Sequence, residues 1–175
     1  MTQGPMTIAG YEQQTVDRNT ARDTYFELAD FHQRYCEVVD GGDLAQWPTF
    51  FTDDCLYEVR ARENAEQGLP VGLVYCEGRG MIRDRAYAVK HTQMFAPRYV
   101  QHIVSNIAVR AISGDEIRAT AGYLLLQTLV ESPTTIHQSG RYFDTFVRTA
   151  GTLLLKERRC IYDTTLIAND LVYPI

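Results

Sequence analysis

The sequence predicts an α+β fold in which N-terminal helices pack against a cone-shaped, curved antiparallel sheet. Apolar residues recur at helical spacing early in the chain, and four long β-rich stretches fill its second half, with turn residues between them. The 175 residues, 45% of them apolar, suit one domain with a core of its own. We therefore divide the chain into an arm, 1–19, and a single domain, 20–175.

The arm is polar and has no sustained period, so we expect it to be flexible or bound to a partner. An amphipathic helix should begin near Thr20, because apolar residues follow at intervals of three and four, and Gly41 and Gly42 should end it. A brief second helix should carry Trp47, since Pro48 fits only within its first turn or just beyond it.

Shorter elements are expected next: a turn at Asp53 and Asp54, strands over 55–61 and 71–76 with a loop over 62–70 between them, and a helix over about 79–92. Four consecutive antiparallel strands should then occupy 98–112, 116–130, 136–148 and 153–167. Because long strands accumulate twist, and because Gly122 and Gly140 suit bulges or bends, this sheet should curl around the helices.

Composition limits the partners and the compartment. The net charge of -5 and the pI near 5.3, with scattered Lys and Arg, disfavour nucleic acid. The chain shows neither a leader pattern nor an apolar run long enough for a membrane span, so we expect a soluble, cytoplasmic protein. Its four cysteines are widely separated, as is typical of reduced core thiols.

Motifs for metals, nucleotides and nucleophiles are missing from the sequence. No cysteine is followed two or three positions later by the histidine that a Rieske iron–sulfur cluster needs, and His91 and His102 have no spacing typical of a mononuclear iron site. The chain has no nucleophile elbow and no phosphate-binding glycine loop. We therefore predict no catalytic, cofactor-binding or metal-binding residue.

One acid/base arrangement is conceivable inside a cone. His102 could work with Asp53 or Asp54, helped by Tyr57 or Tyr123, in a stand-alone dehydratase or isomerase. The alternative, which we favour, is that His102 is a hydrogen-bonded residue of the sheet and that the two aspartates end a helix.

Charged and aromatic residues have similar pairs of interpretations. Arg98, Arg141 and Asp144 could hold a substrate, although surface or intersubunit ion pairs are commoner for charges near strand ends. The aromatic set could stack on a ligand, but core packing is the simpler interpretation; its members are Trp47, Phe50, Phe51, Tyr57, Phe143 and Phe146. Eleven tyrosines and seven phenylalanines also suit burial of the outer sheet face against partner subunits.

An ordered series of short motifs connects these regions. It comprises the residues around Trp47, the stretches at 62–64 and 68–70, the helix at 80–85, the strand at 98–106, Gly140 to Asp144, Glu157 to Arg159 with Asp163, and the ending at 171–175. This series resembles the small (beta) subunit of aromatic-ring-hydroxylating, Rieske-type dioxygenases. Within that family it is most similar to the branch acting on aromatic carboxylates, of the terephthalate dioxygenase or salicylate 5-hydroxylase type, with terephthalate as the first expectation.

The resemblance implies a nuclear-transport-factor-like or cystatin-like cone and a structural, non-catalytic role in the terminal oxygenase component. It implies a larger alpha subunit that holds the Rieske [2Fe-2S] cluster and a mononuclear Fe(II), and that receives electrons from NADH through a reductase or ferredoxin. It also implies a beta trimer within an alpha3beta3 heterohexamer. The candidate structural or interface residues are Trp47, Arg98, His102, Asn106, Arg141 and Asp144.

Overall fold

This computed structural model describes residues 6–167 and 171–175. The helices lie in the first half of the chain, and the four long strands follow in the second half. In chain order the elements are α1 (Arg18–Asp40), a 3-10 helix (Trp47–Phe50), β1 (Phe51–Ala61), α2 (Arg62–Glu66), β2 (Val74–Glu77), α3 (Gly78–His91), β3 (Arg98–Ser113), β4 (Glu116–Leu129), β5 (Thr135–Thr149) and β6 (Thr152–Tyr162). The predicted α+β class is confirmed.

All six of these strands form one sheet in the order β2-β1-β6-β5-β4-β3. Neighbouring strands are antiparallel except for β1 and β6, which are parallel. The strands β3 to β6 form the predicted consecutive antiparallel meander. Register shifts interrupt every pairing among these four long strands, and such bulges bend a sheet and increase its twist. The sheet therefore curves around the helices.

Gly140 is required by a close approach of two strands. A Cβ atom at this position would lie 2.2 Å from the carbonyl oxygen of Ile161 and 2.8 Å from the hydroxyl oxygen of Tyr123. Real Cβ atoms do not tolerate such contacts, so only glycine lets β5 approach β6 here. Gly140 was expected to provide a bulge or bend, and its observed role is to allow the close approach of β5 and β6.

Helix α1 positions one side of the interior. The carboxylate of Asp17 accepts hydrogen bonds from the backbone N–H groups of Asn19 and Thr20, so the helix begins slightly earlier than the predicted Thr20. The backbone N–H of Gly41 donates to the carbonyl of Glu37 and ends the helix as predicted. The buried face of α1 consists of Thr24, Leu28, Phe31, His32, Tyr35 and Val39.

Three local predictions differ from the structure. Asp53 and Asp54 lie inside β1 rather than in a turn, within a stretch where the pairing with β6 shifts register. The predicted loop over 62–70 begins with α2, whose residues favour a helix and whose Arg62 and Glu66 are 2.7 Å apart at an i,i+4 spacing. The strand predicted over 71–76 occupies Val74–Glu77.

The described part of the arm lies on the outer face of the sheet. The ring of Tyr11 packs against Phe143 with centroids 5.4 Å apart, and its hydroxyl lies 2.9 Å from that of Thr145. The backbone N–H of Gln14 donates to the carbonyl of Arg110 on the edge strand β3. These contacts are with this chain's own sheet, and the flexibility expected of the arm stays a prediction.

The described parts of the chain contain no helix with the length and apolar character needed to cross a membrane.

Candidate functional site inside the cone

The segment 171–175 packs into the interior beside Tyr35 of α1 and Tyr57 of β1. Ile175 is completely buried. Its carbonyl oxygen accepts hydrogen bonds from the hydroxyl groups of Tyr35 on α1, at 3.0 Å, and Tyr57 on β1, at 3.3 Å. Its backbone N–H donates to the Tyr57 hydroxyl at 2.9 Å. The chain's own residues therefore occupy the part of the interior next to Tyr35 and Tyr57.

Trp47 contacts both of the tyrosines that bind Ile175. Its indole N–H donates to the Tyr35 hydroxyl at 2.8 Å, and its ring makes edge contacts with Tyr57 at 5.2 Å and Phe51 at 5.7 Å. Burial raises the pKa of both Tyr35 and Tyr57, so both hydroxyls stay protonated and keep donating. The prediction that the aromatic set packs in the core is confirmed except for Phe143, which belongs to a separate cluster with Tyr11 of the arm.

A second buried group surrounds Arg158 of β6. Its guanidinium donates to both carboxylate oxygens of Asp144, at 3.0 and 2.7 Å, and the Nη2 group also lies 3.3 Å from Nδ1 of His32. The rings of Tyr35 and Tyr142 lie on either side of the guanidinium, 4.3 and 4.2 Å from it. Surface or intersubunit pairing was favoured for Asp144, and that prediction is wrong: its side chain is 2% exposed.

The charges in this group follow from its burial. Burial acts to lower the pKa of Arg158, but Asp144 together with Tyr35 and Tyr142 outweighs this effect and raises the pKa well above its ordinary value. Burial, with a smaller contribution from Arg158, holds the pKa of His32 well below its usual range. His32 is therefore neutral at neutral pH, and its Nδ1 accepts a hydrogen bond from the guanidinium. This is a fully enclosed ion pair with a neutral third member.

His102 has a partner that the sequence did not indicate. Its Nδ1 lies 2.6 Å from one carboxylate oxygen of Asp40, and its backbone N–H donates to the other at 2.9 Å. The alternative pairing with Asp53 or Asp54 is wrong, and the favoured interpretation of His102 as a hydrogen-bonded residue of the sheet is confirmed. Asp53 is exposed and forms an ion pair with Arg79, and three strands lie between β1, which carries both aspartates, and β3.

The chemistry open to the His102–Asp40 pair depends on access. A carboxylate that orients an imidazole is the usual arrangement for a general base, and the opposite nitrogen, Nε2, has no hydrogen-bond partner among the described residues. A general base must come within hydrogen-bond reach of the proton that it removes, however, and the side chain of His102 is 0% exposed. In this structure the pair fastens the end of α1 to the edge strand β3.

An open groove of about 770 Å³ runs beside this fastening, between α1 and the strands β3 and β4. His32, Cys36 and Asp40 line it from the helix, and Tyr99, His102 and Val104 line it from β3. Burial raises the pKa of Cys36 to about 12, so its thiol is protonated and weakly nucleophilic at neutral pH.

The remaining candidate residues lie apart from one another. The guanidinium of Arg98 donates to the side-chain oxygen of Gln127 at 3.1 Å. Arg141 forms a 3.3 Å pair with Asp163 at the surface, as expected for a charge in a strand. Asn106 has a φ of 53° at a bulge of β3. These positions do not converge on one site.

Among residues 6–167 and 171–175, no three His, Cys, Asp or Glu side chains lie close enough together to bind a metal ion. The expectation that this chain carries no metal stays a prediction.

Comparisons with known proteins identify the family. A model of the SnoaL-like domain matches residues 20–159. The anthranilate 1,2-dioxygenase small subunit of Burkholderia cepacia is 38% identical over 152 residues, which are 87% of this chain and 94% of that protein. The chain belongs to the family of aromatic-ring-hydroxylating dioxygenase small subunits. The resemblance drawn from its motifs is confirmed.

Two further relatives agree with this family membership. A beta 1 subunit of the terminal oxygenase component of terephthalate 1,2-dioxygenase from Comamonas is 29% identical over 149 residues, covering 85% of this chain and 97% of that one. A crystal structure of the assigned beta subunit of an aromatic-ring-hydroxylating dioxygenase from Novosphingobium aromaticivorans superposes with a TM-score of 0.81, at 38% identity, over 88% of this chain and 98% of that one. The cone fold is therefore the fold of the family.

Proposed function

We propose that this chain is the non-catalytic small subunit of the terminal oxygenase component of an aromatic-ring-hydroxylating dioxygenase. It binds a larger subunit, and that subunit carries the Rieske cluster and the mononuclear iron and receives electrons from NADH through a reductase or ferredoxin. The small subunit associates as a trimer within an alpha3beta3 assembly. Its contribution is geometric, because it holds neighbouring large subunits in register.

One observation carries the proposal: the segment 171–175 fills the part of the interior next to Tyr35 and Tyr57. Ile175 occupies the space under α1 and uses the hydroxyl groups of Tyr35 and Tyr57 as its hydrogen-bond partners. A cone that acted on a small molecule would need an accessible cavity with unoccupied polar groups. In this part of the interior the hydroxyl groups of Tyr35 and Tyr57 are already paired with the chain itself, which supports a structural role.

The proposed substrate of the whole enzyme is an aromatic carboxylate such as anthranilate or terephthalate. Two relatives that align with most of this chain are subunits of dioxygenases named for these two compounds. The pocket that chooses between such compounds belongs to the larger subunit in this proposal, so the similarity of the small subunit indicates the class of substrate and not the individual compound.

The direct test compares the chain alone with the chain bound to its large subunit. We expect the purified chain to be colourless, to hold no stoichiometric iron and to oxidise no aromatic carboxylate. The co-expressed pair should sediment as a hexamer and hydroxylate the substrate in the presence of reductase and NADH. Stoichiometric iron with visible absorbance in the isolated chain would contradict the proposal.

A stand-alone dehydratase or isomerase is the second candidate, and the hydrogen bond between Asp40 and His102 is the observation that favours it. The complete burial of the His102 side chain weighs against it. Turnover of a hydroxylated ring compound by the isolated chain, abolished by His102→Ala, would favour this candidate over the structural subunit.

A further inference from the structure

A small groove lies between α3 and the 3-10 helix. Its volume is about 310 Å³. The apolar part of its lining comes from Ala45 and Pro48 on one side and from Ala86 of α3 on the other. Arg83, Tyr87 and Lys90 complete the lining from α3. The groove thus combines an apolar surface with cationic groups.

The cations of this groove lie along one stripe of α3. Arg79, Arg83 and Lys90 are separated by four and seven residues, which places them on the same side of a helix. Arg79 is committed to Asp53 in an ion pair. Within the described parts of the chain, neither Arg83 nor Lys90 has an ion-pair partner, and both are exposed. Two uncommitted positive charges therefore adjoin one apolar surface in a chain with a net charge of -5.

An aromatic surface adjoins the same charges. The ring of Tyr87 is 62% exposed, and its centroid is 4.4 Å from that of His91 at the end of α3. An exposed tyrosine ring offers a flat apolar face for stacking, with a hydroxyl at its edge. The ring of a ligand that entered the groove could contact Tyr87 while its charge reached the two cations.

We propose that this groove binds a small aromatic carboxylate. The carboxylate is held by Arg83 and Lys90, through charge-assisted hydrogen bonds, and the ring lies against Ala45, Pro48 and Tyr87. The volume of about 310 Å³ is at the lower end of ligand pockets, which suits a single ring with one or two substituents. A helical peptide would need anchoring contacts over a longer groove.

This binding site is separate from the proposed function. It lies on α3, and the filled interior of the cone has no part in it. A chain that failed to join a large subunit could still bind the ligand here, and a working oxygenase subunit could fail to bind it. The two proposals therefore fail in different experiments.

The test is a titration of the full-length chain with sodium benzoate at low ionic strength and neutral pH, followed by backbone amide shifts in NMR spectra. Benzamide, which has the same ring and no charge, is the comparison ligand. We expect saturable shifts centred on α3, and an affinity for benzoate at least tenfold higher than for benzamide. Raising the salt concentration should weaken benzoate binding, because the cations are exposed.

Matched variants separate the groove from general charge effects. The double variant Arg83→Gln/Lys90→Gln should bind benzoate at least tenfold more weakly. Tyr87→Ala should lose about threefold to tenfold in affinity through the missing ring contact. Arg34→Gln removes an exposed charge from α1 and should leave the affinity unchanged.

Three results would overturn the proposal: no saturable binding of benzoate up to roughly 10 mM, equal affinities for benzoate and benzamide, or undiminished affinity in the double variant.

Discussion

The two groups of positive charge in this molecule have opposite surroundings. Arg158 is enclosed by Asp144, His32 and two tyrosine rings, and its charge is paired with the Asp144 carboxylate. Arg83 and Lys90 lie in an open groove and have no ion-pair partner among the described residues. An enclosed charge is costly to leave unpaired, whereas an exposed charge is stabilised by water. The first group therefore holds the fold together, and the second is available for a ligand.

The largest expected effect comes from breaking the enclosed pair. Asp144→Ala leaves the Arg158 guanidinium buried without its counter-ion, so we expect a loss of about 3–5 kcal/mol in the free energy of unfolding. Urea unfolding at neutral pH measures this loss. The double replacement Asp144→Leu/Arg158→Met should recover most of it, since no charge then remains inside.

The matched control for this prediction is Asp163→Ala, which removes a carboxylate that pairs with Arg62 and Arg141 at the surface. Its effect should stay below about 1 kcal/mol. Similar losses for Asp144→Ala and Asp163→Ala would contradict the distinction between enclosed and exposed charges.

A smaller effect is expected when the segment 171–175 loses a hydrogen-bond partner. Tyr57→Phe removes the hydroxyl that contacts both the N–H and the carbonyl of Ile175, and those groups are then buried without that partner. The cost should be about 1–3 kcal/mol in urea unfolding. Tyr99→Phe, at a tyrosine that is 78% exposed, is the control and should change stability by less than about 0.5 kcal/mol. Equal effects would mean that the segment does not stabilise the interior.

The neutral member of the enclosed group predicts a pH dependence. In the unfolded chain His32 takes up a proton near pH 6.5, whereas burial and Arg158 lower the pKa of the folded residue well below that value. The unfolded state then binds more protons, so stability is present above about pH 6.5 and is lost as the pH falls below it.

The expected size is roughly 1 kcal/mol between pH 6.5 and 5.5. His32→Gln cannot titrate, so its unfolding free energy should fall less steeply over this interval than that of the unmodified chain. Parallel curves for the two proteins would show that His32 is not held neutral by the fold.

The smallest effect is expected in the open groove in the absence of ligand. Arg83→Gln and Lys90→Gln remove charges that stabilise no contact within the described chain, so each should alter the free energy of unfolding by less than about 0.5 kcal/mol. Chemical denaturation of both variants beside the unmodified protein measures this. A loss of several kcal/mol from either variant would show that the charge has a structural partner.

Much of the fold was predictable because its signals are local. The apolar period of α1 and the turn residues between the long strands are visible within short windows of sequence, and both elements formed where expected. The motif series around Trp47 was sufficient to identify the family. The six-stranded order follows from the meander, with β1 added beside β6.

The interior was not predictable, because its contacts join distant parts of the chain. Asp40 and His102 are 62 residues apart, and Tyr57 and Ile175 are 118 apart. The buried position of Arg158 could not be predicted for a different reason. A register shift between β5 and β6 lies next to Leu155, so strict alternation from that buried residue would place Arg158 on the outer face. The bulge moves it inside.

The central claim is that this chain supplies assembly and not turnover, and His102→Ala tests it most directly. The variant is co-expressed with the large oxygenase subunit, and the amount of hexamer and the turnover per assembled hexamer are measured separately. We predict that less hexamer forms, because the fastening of α1 to β3 is lost, and that each assembled hexamer hydroxylates its substrate at the unmodified rate. Full assembly with abolished turnover would contradict the account.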